Sequence, residues 1–148
     1  MGSLIAGNAV IGQSGGPTAV INQSLVGVIE GLREHGVGGG ATIGKVLGMR
    51  HAVHGLVRDE LVDLSEMETE RLDRIARTPS AALGSTRDKP DGPYCQRIFQ
   101  ACRRHDIRYF FYIGGNDSSD VCRIVNELST DEGMSCGVSM CPRRWIMI

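Results

Sequence analysis

No apolar run in this chain approaches the roughly 20 residues that a membrane-spanning helix needs, and the amino terminus has no charged stretch followed by an apolar one. Neither a bilayer span nor a secretory signal is expected, and the cytoplasm is the expected location. Neither sign of charge is in excess. The formal net charge is −1 over 148 residues, so composition gives no case for a nucleic acid or an anionic membrane as partner. Arg103-Arg104 is a local basic pair, better explained as part of a solvated helix face. The five cysteines, Cys95, Cys102, Cys122, Cys136 and Cys141, are odd in number and form no CxxC pair. A disulfide framework and a zinc site are therefore not expected. Reduced thiols packed in a core are, with Cys95 and Cys102 on one face of a helix. A GxGxxG run is also missing, which leaves a dinucleotide fingerprint unsupported.

What the chain does have is a β-prone stretch, Tyr109 to Ile113, that stops at Gly114-Gly115 and is followed by Asn116-Asp117-Ser118-Ser119-Asp120. Asp117 and Ser118 are N-cap candidates for a helix whose apolar positions are Val121, Ile124, Val125 and Leu128. Such a strand-to-helix turn suits phosphate: its backbone N–H groups are free, the helix dipole adds positive charge, and glycine allows close approach. A turn that merely uses glycine and a cap would look the same. The second occurrence of the design tips the balance. Asn8 to Ile11 reads as a strand, Gly12-Gln13-Ser14-Gly15-Gly16-Pro17 as a tight turn, and Thr18 to Leu32 as a helix with Val20, Leu25, Val28, Ile29 and Leu32 on one face and Gly36 as its stop.

At 148 residues the expectation is one domain able to bury a core. Strand and helix alternate along it. Thr42 to Leu47 is a second expected strand, and Met49 to Gly55 a short turn-like segment. Leu64 to Arg77 is an expected helix with Ser65 as candidate N-cap, and Thr78 to Pro93 a loop. Tyr94 to His105 is a helix with Ile98, Phe99 and Cys102 facing inward. Gly38-Gly39-Gly40 reads as a flexible connector. This order argues for an α/β, Rossmann-like fold, a largely parallel sheet with helices on both faces, whose ligands sit at the carboxyl ends of the strands. Leu83-Gly84-Ser85-Thr86-Arg87-Asp88-Lys89-Pro90 adds hydroxyls and the planar fork of Arg87, which suits phosphate oxygens. His35, His51, His54 and His105 are scattered, each expected on the surface or in a turn.

Three segments in order, Gly15-Gly16-Pro17-Thr18-Ala19-Val20-Ile21-Asn22, Leu83-Gly84-Ser85-Thr86-Arg87 and Gly114-Gly115-Asn116-Asp117-Ser118, resemble the phosphofructokinases, whose patterns are GGxxxGxN, LGTSR or LGSxR, and GGDGS or GGDDS. The resemblance covers about Asn8 to Leu128. It implies the amino-terminal domain of that fold and transfer of a phosphoryl group to the 1-hydroxyl of fructose 6-phosphate. It also implies magnesium on the donor and a homo-oligomer for a full-length protein. Carried over by position, Gly15 falls where the first turn meets the donor phosphates and Arg87 where the loop arginine reaches them. Gly115, Asn116, Asp117 and Ser118 correspond to the donor-binding turn. ATP-using members have glycine at the position of Asp117, whereas aspartate there resembles the pyrophosphate-dependent branch. A carboxylate would fill and repel the space of a nucleotide's α-phosphate, at a cost on the order of several kcal/mol, so pyrophosphate is the expected donor and ATP the less favoured one. Asn116 stands where the family commonly has a magnesium-holding aspartate, and an amide oxygen is a weaker partner for a hard dication.

The chain departs from the family after Glu127. The pattern PKTxDND, whose middle aspartates supply the base for the sugar's proton, is missing; the chain ends Cys141-Pro142-Arg143-Arg144-Trp145-Ile146-Met147-Ile148. A shifted reading frame of codons able to encode Cys141 to Ile148 permits P-(K/Q)-T-M-D-N-D. Residues 134–148 are therefore expected to be an out-of-frame tail on 1–133, the donor-phosphate-binding part; a genuine divergent terminus is the alternative. No catalytic base can be nominated, and the chain alone is expected to be inactive. A non-catalytic phosphate-binding fragment or interaction module stays open as a second reading. A NAD or lipid kinase of the GGDG type is disfavoured by the LGSTR loop.

Overall fold

The structure is a computed structural model that describes residues 6–15, 21–35, 43–89, 91–131 and 137–142. Its elements are β1 (Gly7–Gln13), α1 (Ile21–His35), β2 (Ile43–Met49), α2 (Val53–Val57), β3 (Leu61–Asp63), α3 (Thr69–Arg77), α4 (Gly92–Arg104), β4 (Ile107–Gly114), α5 (Asn116–Asp131) and β5 (Gly137–Pro142). The strands form one sheet in the order β3-β2-β1-β4-β5. All neighbours run parallel except β2 and β3. The expected α/β fold with a largely parallel sheet is thus present. Gly16 to Val20, the Gly38-Gly39-Gly40 connector, Pro90, Cys136 and Arg143 to Ile148 lie outside the described residues.

Both central strands read as buried on two faces, and their side chains alternate accordingly. Val10 of β1 with Phe110 and Tyr112 of β4 point to one face, where they pack with Val53 and Leu56 of α2, Ile98, Phe99 and Cys102 of α4, and Val121 and Val125 of α5. Ala9 and Ile11 of β1 with Ile113 of β4 point to the other, against Ile21, Leu25 and Ile29 of α1 and Leu72 of α3. Ile21, Leu25 and Ile29 recur every four residues, which makes one buried stripe along α1. The expected cysteine packing holds for Cys95, Cys102 and Cys122, which are in no disulfide and are buried in one core. Burial pushes the Cys122 thiol up to about 12, so it stays protonated and unreactive.

Three local expectations need correction. Ser65 does not cap a helix: its Oγ accepts the Val46 N–H at 2.8 Å, and Leu64 donates its own N–H to Val46 O at 2.8 Å. Leu64 and Ser65 therefore extend the sheet edge, and α3 begins at Thr69. The preceding residues Leu61–Asp63 form an antiparallel edge strand, three residues too short for a period-2 signal. The fourth helix starts two residues early, at Gly92, because the Asp91 carboxylate accepts the Tyr94 N–H at 2.9 Å and Pro93 fits the first turn.

Candidate functional site at the sheet's switch point

Chain connections leave β1 toward β2 on one side, while β4 lies on the other. The crevice at the carboxyl ends of β1 and β4 is therefore the topological switch point, where a doubly wound sheet leaves room for a ligand. Both glycine turns are there. The two strand ends are in register, Gln13 opposite Ile113, and the Ser14 N–H donates to Ile113 O at 2.8 Å. Gly15 follows with φ 79°, a left-handed conformation that favours glycine.

On the β4 side the turn is tighter than the cap assignment foresaw. Helix α5 begins at Asn116, so Gly115 takes the capping position and Asp117 and Ser118 fall inside the first turn. The first-turn N–H groups of a helix have no acceptor within it, and the dipole makes this end attractive to anions. The side chains of Asn116, Asp117 and Ser118 lie outside the described part of the structure.

The 78–89 loop closes the third side. Ser14 Oγ donates to Thr86 O at 3.4 Å and the Gly15 N–H reaches the same carbonyl at 3.4 Å, both near the outer limit of a hydrogen bond. The loop passes through Gly84 at φ 74°, where a Cβ would lie 2.5 Å from His51 Nδ1. The His51 N–H in turn donates to Leu83 O at 2.8 Å. Arg87 follows directly after Thr86; it is exposed.

Two residues that carry this arrangement were given no role from sequence, although Asn22 closes the first family motif. Gln13 and Asn22 are buried polar side chains, 0% and 1% exposed. Gln13 Nε2 donates to Asn22 Oδ1 at 2.9 Å and to Ile21 O at 3.3 Å, while its Oε1 accepts the Leu83 N–H at 2.9 Å. Asn22 Nδ2 donates to Thr78 O at 2.9 Å and Ser80 O at 2.7 Å, and its Oδ1 also accepts the Ala82 N–H at 2.9 Å. A polar residue at an inward position of a buried strand, as Gln13 is, was the available signal.

The histidines are less scattered than expected. His51 and His54 line one cleft of about 490 Å³ with Arg58, Glu60, Ser85, Thr86 and Asp88, beside the loop that leads to Arg87. His54 Nδ1 stands 3.4 Å from Asp88, and the Tyr94 hydroxyl donates to Asp88 at 3.2 Å. Burial, then the Asp88 charge, pushes the Tyr94 phenol up to about 12. His105 instead bonds Asp59 at 2.8 Å on the far rim, where Arg104 also pairs with Asp59. Among the described residues no three His, Cys, Asp or Glu side chains converge so as to hold a metal ion. No helix searched there is long and apolar enough to cross a membrane.

The strand order and the loops gathered over the gap between β1 and β4 define a doubly wound α/β protein with a candidate site at the switch point. The sequence profile of the phosphofructokinase family matches residues 8–142, and the chain belongs to that family. It is 48% identical over 135 residues to a pyrophosphate–fructose 6-phosphate 1-phosphotransferase of Rhodospirillum rubrum, a match that covers 90% of this chain and 32% of the relative. The crystal structure of a pyrophosphate-dependent phosphofructokinase from Marinobacter aquaeolei superposes with a TM-score of 0.79 at 38% identity, covering 92% of this chain and 32% of that one. The corresponding structure from Nitrosospira multiformis gives 0.80 at 38% identity, covering 87% and 31%. This chain thus spans about a third of the length of the relatives it matches.

Proposed function

We propose that this chain is the donor-binding part of a pyrophosphate-dependent 6-phosphofructokinase, and that the crevice between β1 and β4 receives pyrophosphate. In the whole reaction one phosphoryl group of pyrophosphate passes to the 1-hydroxyl of fructose 6-phosphate, and phosphate leaves. The observation that carries the reading is convergence: the Gly15 turn, the first turn of α5 and the Thr86–Arg87 segment meet at one switch point, held by the bond from Ser14 N–H to Ile113 O. Phosphoryl transfer asks a protein mainly for positioning and for charge stabilisation of phosphate oxygens. Backbone N–H groups at a helix start and the fork of an arginine supply both.

The assignment of roles follows the same logic. Gly15 and Gly115 let phosphate oxygens approach the backbone, Arg87 pairs with them, and Ser118 offers a hydroxyl in the first turn of α5. Asp117 selects the donor by filling and repelling the space of a nucleotide's α-phosphate. Magnesium enters with the donor as its pyrophosphate chelate. Asn116 is the residue whose amide oxygen would meet it. The sugar's proton needs a base that this chain does not supply, since Arg143-Arg144-Trp145 follows Pro142 where the family pattern has KTx. We assign 1–133 to the donor-binding part and 134–148 to an out-of-frame tail, with residues Gly137–Pro142 still paired beside β4.

The test is calorimetric titration of the purified chain with magnesium pyrophosphate. Binding that Arg87→Ala weakens supports the reading; affinity unchanged by that substitution removes Arg87 from the site. Turnover of fructose 6-phosphate by the chain alone would overturn the claim that its catalytic base is missing.

A further inference from the structure

The loop that carries Arg87 has neither helix nor strand between Thr78 and Asp91 among its described residues, so its own backbone does not set where Arg87 stands. Its anchors come from outside: of the six residues Thr78 to Leu83, four are held by just two side chains. Asn22 takes the carbonyls of Thr78 and Ser80 and the N–H of Ala82, and Gln13 takes the N–H of Leu83. We infer that Gln13 and Asn22 are positioning residues of the donor site, a buried amide pair that fixes the Arg87 loop against the Gly15 turn. The inference rests on the donor-site reading above.

The chemistry requires amides at both positions. Each side chain must donate on one side and accept on the other: Leu83 and Ala82 present N–H groups, whereas Thr78, Ser80 and Ile21 present carbonyls. That pattern admits one orientation of each amide. The bond from Gln13 Nε2 to Asn22 Oδ1 then locks the two together. Because both are almost fully buried, water cannot stand in for a lost partner without opening the loop. Gln13 also sits one residue before Ser14 and two before Gly15, whose contacts to Thr86 O close the loop from the other end. One amide pair thus sets both walls on which a phosphate would rest, and neither residue needs to touch it.

The experiment measures two things on the full chain: affinity for magnesium pyrophosphate by calorimetry, and hydrogen exchange of the Ala82 and Leu83 amides. Asn22→Leu and Gln13→Met replace each amide by an apolar side chain of similar size, which a space-filling role would tolerate. Each is expected to weaken pyrophosphate binding roughly tenfold and to speed exchange at Ala82 and Leu83, while the Val10 and Phe110 amides in the central strands keep their protection. Arg87→Ala is expected to weaken binding with exchange at Ala82 and Leu83 unchanged. In the unsubstituted chain, pyrophosphate should slow exchange at these two amides, a measurement that decides the matter even if both variants fail to fold. Binding that survives both substitutions within about twofold, or pyrophosphate that binds without slowing those amides, overturns the amide pair alone. An unsubstituted chain that does not bind pyrophosphate overturns the donor-site reading and this inference with it.

Discussion

The two faces of the sheet are built from different materials. The face covered by α2, α4 and α5 holds Phe110, Tyr112, Phe99 and three cysteines outside any disulfide. The Tyr112 hydroxyl on this face is buried and makes no well-formed hydrogen bond; burial pushes it up to about 12, against a smaller opposing pull from Ser14 and the Val53 backbone. The face covered by α1 and α3 is aliphatic along most of its length, then turns polar at the strand ends, where Gln13 and Asn22 are buried and paired. Apolar packing is non-directional and tolerates many shapes, whereas a hydrogen-bonded network fixes one. The contrast shows how a small domain can combine a generic core with a loop held to a single position: directional bonds are spent on the loop that frames the crevice, and burial does the rest.

The sharpest way to break the packed face is Phe110→Ala. Phe110 is fully buried and stacks on Tyr112 with ring centroids 5.6 Å apart. A loss of about 3–5 kcal/mol is expected, read as a lowered denaturant midpoint. On the polar face, Asn22→Leu should cost less, about 1–3 kcal/mol, because an exposed loop can turn its freed carbonyls to water; equal losses at the two positions would erase the distinction between the faces. Asp91→Ala, at the cap of α4, should cost about 1 kcal/mol and speed exchange of the Tyr94 amide in particular.

Tyr112→Phe tests the buried hydroxyl. Removing a buried hydroxyl that makes no well-formed hydrogen bond should leave stability within about 1 kcal/mol of the parent; a clear loss would mean that Ser14 or the Val53 backbone satisfies it in solution. The smallest effect is expected at Asp59 on the rim. Hydrogen bonds from Arg104 and then His105 hold its carboxyl below the ordinary value of 3.8. A depressed folded value means stability that is present above about pH 4 and is lost as pH falls through the lowered value. Asp59→Ala should therefore lower stability slightly above about pH 4 and leave it nearly unchanged below the lowered value, flattening the acid limb; the effect is small, as suits an exposed pair.

Much of this architecture is legible in the sequence, for a physical reason. Central parallel strands such as Tyr109 to Ile113 are continuous apolar runs ended by glycine, and α1 repeats its apolar residues at helical spacing, so their periods announce them. The edge strand Leu61–Asp63 gives no such signal, and Ser65 has the chemistry of a helix cap while serving the sheet edge, a choice made by Val46 nineteen residues away. The candidate site divides in the same way. Gly15, Arg87 and Gly115 could be found because glycine turns and an arginine loop are local patterns. Gln13 and Asn22 stand in those patterns too, but their role could not be read there, because their partners lie at Thr78 to Leu83, beyond any local window.

The order of strands across the sheet also has a consequence in time. Asn8 at the start of β1 donates to the carbonyl of His105, 97 residues later. During synthesis at roughly 5–20 residues per second, β1 waits on the order of 5–20 s for β4. Until then β1 can pair with β2 on one edge while its other edge stays open. The crevice between β1 and β4 therefore comes into being only with the late closure of a long loop, a slow step by the usual dependence of rate on sequence separation. Pulsed hydrogen exchange during refolding should protect amides shared by β1 and β2 before those shared by β1 and β4, so that the binding crevice is among the last parts of this chain to take shape.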